Sequence, residues 1–150
     1  MWNDRKAVTL SIVCTKIAVV LVIAFAVFVS LFFVVQYTAL RSNLMARAFV
    51  YPIHIACCVP SLIALAYLHR MLLDIRTGAV FTVANVRRFR IISWCSLSIC
   101  VLFLVEIILL PRSPHYLLCA VAGFFSLLMC IFKNAFDVAR RIKDENDYTI

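Results

Sequence analysis

Four long apolar runs and a one-sided distribution of Lys and Arg predict an all-α integral membrane protein. The expected architecture is a four-helix bundle whose second, third and fourth helices extend into the cytoplasm. The runs are 17–35, 49–68, 91–110 and 116–132, each close to the ~20 residues that cross a bilayer as a helix. Composition agrees: 65% of the 150 residues are hydrophobic and the mean hydropathy is +1.04, whereas a soluble domain is about half apolar. This length suits one four-span domain, with a cytoplasmic loop at 69–90 and a cytoplasmic tail at 133–150.

The first run, Ile17 to Val35, carries no charge. Asp4-Arg5-Lys6 resembles the charged start of a signal peptide. The apolar stretch is too long for one, and Gln36-Tyr37-Thr38 offers no small-residue cleavage site. An uncleaved span is therefore expected. The second run contains Pro52, His54 and Pro60, and Pro60, at mid-span without an N–H to donate, is expected to kink it. Leu68, Leu72 and Ile75 keep helical spacing beyond the membrane and carry this helix through Arg76, with Gly78 as its stop.

Thr82 is placed to cap the third helix, with Phe81 and Val86 as a hydrophobic staple. That span carries one carboxylate, Glu106. The fourth run has 17 residues, short for a span, but Tyr116 and Lys133 can anchor its two ends. Beyond it Phe132, Phe136, Ala139 and Ile142 form one helical stripe, and Lys133, Asp137 and Arg141 form an i, i+4 ladder on another face. The acidic segment from Asp144 is expected to fray.

Twelve of the fifteen Lys and Arg lie at the N-terminus, in the loop after span two and in the tail; Arg41, Arg47 and Arg112 are on the other side. The positive-inside rule puts both termini in the cytoplasm. The net charge of +8 then reflects headgroup contact rather than direct nucleic-acid binding. The localisation expected is a bacterial cytoplasmic membrane, crossed four times.

Small residues mark where helices approach each other in lipid. Cys119, Gly123, Ser126 and Cys130 form such a seam on span four; Cys57, Ser61 and Ala64 do so on span two, and Ser93, Ser96 and Cys100 on span three. The seven cysteines include no Cys-x-x-Cys pair, so they read as small packing residues rather than a disulfide or metal framework. Ionisable groups within spans are functional candidates by default. His54 shares the Cys57 face and His115 the Cys119 face, while Glu106 lies roughly 110° from the span-three seam by the 100° helical step.

All three fall in the outer third of their spans. One reading is an outward-facing pocket for a ligand, a proton or a metal; the other is interfacial residues that pair or reach water. Two histidines and a glutamate suit zinc, but without local His-x-x-x-His spacing no metal or cofactor is expected. A second candidate is cytoplasmic: the tail acids Asp144, Glu145 and Asp147 either dock on Arg87, Arg88 and Arg90 or compete with them for a partner, the alternative being a solvated tail.

Nothing supports an enzyme. No nucleophile, base and orienting acid group together. Three histidines are too few for a four-ligand, two-haem site, and two glycines exclude a glycine-rich nucleotide loop.

Two segments carry a family resemblance: Gly78-Ala-Val-Phe-Thr-Val-Ala-Asn85 after span two, and Asp144-Glu-Asn-Asp-Tyr-Thr-Ile150 at the C-terminus. Together with four spans in this length, they resemble an uncharacterised bacterial membrane family, domain of unknown function 2975. Its members commonly have Pro-Phe where this chain has Val80-Phe81, and often leucine where it has Tyr148. The resemblance brings no catalytic residues. It implies a bacterial membrane protein often encoded beside a small helix-turn-helix regulator, hence a membrane partner or anti-repressor. The function expected is a non-enzymatic membrane-embedded sensor or regulatory subunit. The alternative is a small transporter, or an immunity protein against a membrane-active peptide. Expected partners are the lipid bilayer, a cytoplasmic helix-turn-helix regulator and further copies of the chain.

Overall fold

The structure is a computed structural model that describes residues 4–39, 44–109 and 113–147. They form four helices: α1 (Asp4–Ala39), α2 (Leu44–Arg76), α3 (Val83–Leu109) and α4 (Ser113–Asp147). Each contains a segment long and apolar enough to cross a membrane: Ala7–Phe28, Pro52–Arg76, Val83–Leu109 and His115–Asn146. The four expected helices are present; α1, α2 and α4 run past both ends of the expected runs, and α3 starts before its run and closes at Leu109. α2 continues unbroken through Pro52 and Pro60. α4 carries the tail stripe and ladder, and stays helical beyond Asp144 to Asp147.

Consecutive helices pack in antiparallel order, α1 on α2, α2 on α3 and α3 on α4. Among the described residues, the backbone of α1 approaches neither α3 nor α4. α2 and α3 are therefore each held from two sides. The buried residues of α3, Asn85, Phe89, Ile92, Ser96, Phe103 and Glu106, with Cys95 beside Ser96, recur every three or four positions, or two turns apart, along its whole length.

The α3–α4 seam follows the small residues. Ser93 Oγ donates to the Ser126 carbonyl at 2.9 Å and Ser126 Oγ donates to the Ser93 carbonyl at 3.0 Å. Two turns along, Cys100 Sγ and Cys119 Sγ stand 3.6 Å apart. A Cβ on Gly123 would meet Cys100 Sγ at 3.4 Å, an ordinary van der Waals contact, so the seam fits a small residue here and a larger one would press on Cys100. Cys130, expected on the same seam, is exposed instead. Elsewhere hydroxyls turn back on their own helices: Thr15 donates to the Ser11 carbonyl at 2.8 Å and Ser61 to the Cys57 carbonyl at 2.7 Å. That internal satisfaction is what a hydrocarbon solvent requires of them. The outward faces are apolar, with Trp94, Ile108, Leu117, Phe124 and Leu127 largely exposed. So continuous an apolar surface is explained by lipid contact.

The α2–α3 junction forms as the sequence suggests. Gly78 adopts φ +84°, Ala79 N–H donates to the Asp74 carbonyl at 2.9 Å, and Gly78 N–H donates to the Ile75 carbonyl at 3.1 Å. These two bonds are the Schellman pair that closes a helix C-terminus. Thr82 Oγ1 accepts from the Asn85 N–H at 3.2 Å and caps α3. Phe81 packs its ring on Phe136 of α4 at 5.5 Å, and Phe89 lies 4.8 Å from Phe136. The loop is thereby fastened to α4 as well as to α3.

Candidate functional site

His54 lies ten residues into α2, Glu106 three before the end of α3 and His115 two after the start of α4. Antiparallel packing carries all three to one end of the molecule. Glu106 Oε1 stands 3.5 Å from His54 Nδ1 and 3.5 Å from His115 Nε2. The ring centroids of the two histidines are 6.1 Å apart, and His54 meets Phe103 edge-on at 5.9 Å. The Glu106 side chain is 0% exposed, those of His115 and His54 10% and 22%.

Both Glu106 oxygens are buried without a hydrogen bond, and so is His115 Nδ1. At 3.5 Å the nitrogen–oxygen gaps exceed the 2.7–2.9 Å typical of charge-assisted hydrogen bonds. One ligand atom from each residue lies within 4.8 Å of the other two, spacing that could hold a metal ion. The sequence placed the three residues at similar depth, and the structure brings them together. The 110° offset of Glu106 from the span-three seam has a simple cause. α3 is flanked by α2 and α4, so a residue turned from the α4 seam still enters protein and meets both histidines.

A second polar centre occupies the opposite end. Arg88 Nη1 donates to Asp74 Oδ2, joining α3 to α2, and to Asn85 Oδ1 at 2.6 Å. Asn85 is fully buried, and its Nδ2 donates to the Ala79 and Val80 carbonyls at 3.1 and 2.9 Å. This latch was not legible as a site. Its signal was a lone acid, Asp74, in a basic loop, with Asn85 three residues after the capping Thr82. Glu106 and Arg88 are 18 positions apart on α3, about 27 Å at 1.5 Å per residue. The hydrocarbon core of a bilayer is ~30 Å thick, so the separation of the two centres is comparable to that thickness.

Arg88 is committed to the latch, while Arg87 and Arg90 are exposed. Asp144 accepts from Arg140 at 2.9 Å on its own helix, and Asp137 is contacted by Arg140 and Arg141 at 3.3 Å each. Glu145 is exposed; the side chain of Asp147, like residues 148–150, lies outside the described residues.

Between α1 and the other helices lies an open apolar cavity of about 800 Å³, lined by Leu21, Phe25, Phe28, Cys57, Phe103 and Leu118 among others, with His54 on its wall. Nothing in the residue pattern marks it, because lipid-facing and cavity-facing leucines look alike in sequence.

No curated protein and no solved structure matches the chain. A family profile described as "Protein of unknown function (DUF2975)" matches residues 15–150, from the first span to the C-terminus, and the chain belongs to that family.

Proposed function

We propose that this protein is a non-enzymatic membrane-embedded sensor or regulatory subunit. The observation that carries this reading is the pair of polar centres on shared helices, one bilayer thickness apart. α2 and α3 are joined by His54 and Glu106 at one end and by Asp74 and Arg88 at the other. A helix in lipid is stiff because its backbone bonds are all satisfied internally. A changed charge or ligand at Glu106 therefore changes how α2, α3 and α4 fit at the far end. The excess of Lys and Arg assigns the latch end, both termini and the projecting turns of α2, α3 and α4 to the cytoplasm, and the histidine cluster to the outside. The output surface on this reading comprises Arg87, Arg90 and the acidic end of α4, with a small cytoplasmic helix-turn-helix regulator of a bacterial cell as its partner.

The test compares transcripts in three strains: wild type, gene deletion and Glu106→Gln. The reading expects Glu106→Gln to insert at wild-type levels yet reproduce the deletion profile. A deletion that changes no transcripts refutes a regulatory role. A second reading, transport or immunity against a membrane-active peptide, draws on the apolar cavity; it expects the deletion to change uptake or peptide tolerance instead.

A further inference from the structure

We infer that His54, Glu106 and His115 form a binding site for a divalent first-row transition ion, zinc fitting best, with one coordination position left to an exogenous ligand. The inference rests on the sensor reading and names its signal. Three observations carry it. First, the ligand set is two imidazole nitrogens and a carboxylate, the donors of three-ligand zinc sites; magnesium and calcium favour all-oxygen cages.

Second, two of the three ligand separations suit a tetrahedral ion, and the two imidazole nitrogens lie within 4.8 Å of each other. Bonds of ~2.0–2.1 Å put tetrahedral ligand atoms ~3.3–3.4 Å apart. The two nitrogen–oxygen distances are each 3.5 Å. Adjacent ligands of an octahedral ion with ~2.1 Å bonds would stand ~3.0 Å apart, a poorer match. The same 3.5 Å is long for direct hydrogen bonds, so Glu106 Oε1 faces two nitrogens across a gap of the size that a shared ion occupies.

Third, burial needs compensation. Glu106 has both oxygens out of contact with solvent and without hydrogen bonds, and a carboxylate in such a place is costly unless a positive charge accompanies it. His54 opens on the wall of the apolar cavity. An ion therefore has a route to the cluster.

The ligands come from three consecutive helices and from no local sequence motif. Only the packing of α3 between α2 and α4 assembles them. Loading the site would pull the ends of these helices onto one centre, which is how the ion would act as a signal.

The experiment uses the full chain purified in lipid nanodiscs and stripped with a chelator, then titrated with zinc by calorimetry. Cobalt is a second probe, because its visible absorption distinguishes tetrahedral from octahedral coordination. The expected result is one zinc per chain and a tetrahedral cobalt spectrum. His54→Ala, Glu106→Gln and His115→Ala should each weaken zinc by more than the roughly 10–100-fold that loss of an outer-sphere partner costs. His69→Ala removes the remaining histidine, which is outside the cluster, and should leave binding unchanged. His115→Cys replaces one zinc ligand by another and should restore binding even if His115→Ala compromises the fold.

Absence of zinc uptake by the wild-type chain, or uptake that survives all three cluster substitutions, overturns the site. The transcript comparison separates this from the sensor reading. If zinc does not bind but Glu106→Gln still reproduces the deletion profile, the metal assignment fails and the sensor stands. If zinc binds at the cluster but Glu106→Gln leaves transcripts at wild type, the metal site stands and the sensor reading fails.

Discussion

Asn85→Ala should destabilise the α2–α3 junction well beyond what a loop substitution ordinarily costs. The side chain is fully buried and makes three hydrogen bonds, donating to the Ala79 and Val80 carbonyls and accepting from Arg88. Each neutral bond contributes ~0.5–1.5 kcal/mol net, and one to a charged partner ~1.5–3. Ala79 is exposed and can return to water, and Arg88 keeps Asp74, so the expected loss is about 2–3 kcal/mol rather than the full sum. Arg88→Ala should cost less, ~1–2 kcal/mol, because the Arg88 and Asp74 side chains are 18% and 32% exposed and their attraction is partly screened. The two residues touch, so a double-mutant cycle should show coupling on the order of 1 kcal/mol. The assay is reversible unfolding in mixed micelles followed by circular dichroism, with trypsin cleavage at Arg76 and Arg87 as a local probe. An Asn85→Ala protein within about 0.5 kcal/mol of wild type, the range of ordinary surface substitutions, and equally resistant to trypsin would refute the latch.

Other consequences are as direct. An impermeant thiol reagent applied to intact cells should label Ser42→Cys and spare Thr77→Cys in a cysteine-free background; the reverse pattern would invert the proposed orientation. Ser126→Ala should cost ~0.6–1.7 kcal/mol, the measured range for interhelical hydrogen bonds in lipid, and Gly123→Leu about 1–3 kcal/mol through overpacking against Cys100. Equal stability of both variants in micelles would remove the α3–α4 seam from the account. Deleting residues 144–150, or reversing Arg87 and Arg90 to Glu, should alter the transcript profile without reducing insertion, whereas Arg88→Glu should also weaken the fold. If neither of the first two changes alters transcripts, the tail and the exposed arginines are passive.

The spans, the Gly78 stop and the Thr82 cap were legible because each depends on local chemistry: apolar length, a left-handed backbone position, a hydroxyl before a helix. The Ser93–Ser126 and Cys100–Cys119 contacts were legible in part, since small residues at helical spacing announce a seam but not its partner. The cluster was half legible. His54, Glu106 and His115 could be assigned a common depth, but their convergence depends on α3 packing between α2 and α4, which no periodicity reveals. The absence of a local histidine motif argued against a metal for the same reason, because ligands drawn from three helices have no fixed sequence spacing. Arg88 was grouped with Arg87 and Arg90 as a docking candidate. Its commitment to Asp74 depends on where the chain turns at Gly78, so the arginine triplet divides into one structural residue and two free to face a partner. Cys130 shows the limit of seam arithmetic: it keeps the spacing of Cys119 and Ser126 yet lies exposed.

The central claim is that the two polar centres communicate, and one labelling rate tests it. Thr77→Cys places a thiol on an exposed position beside Asp74, in a chain whose exposed cysteines, Cys14 and Cys130, are replaced by serine. In inverted membrane vesicles the modification rate is compared with and without Glu106→Gln, at the opposite end of the same helix pair. The account predicts a change of several-fold in that rate, with equal amounts of inserted protein. Identical rates in two equally folded proteins would contradict it and reduce the His54–Glu106–His115 cluster to a local feature of one end of the molecule.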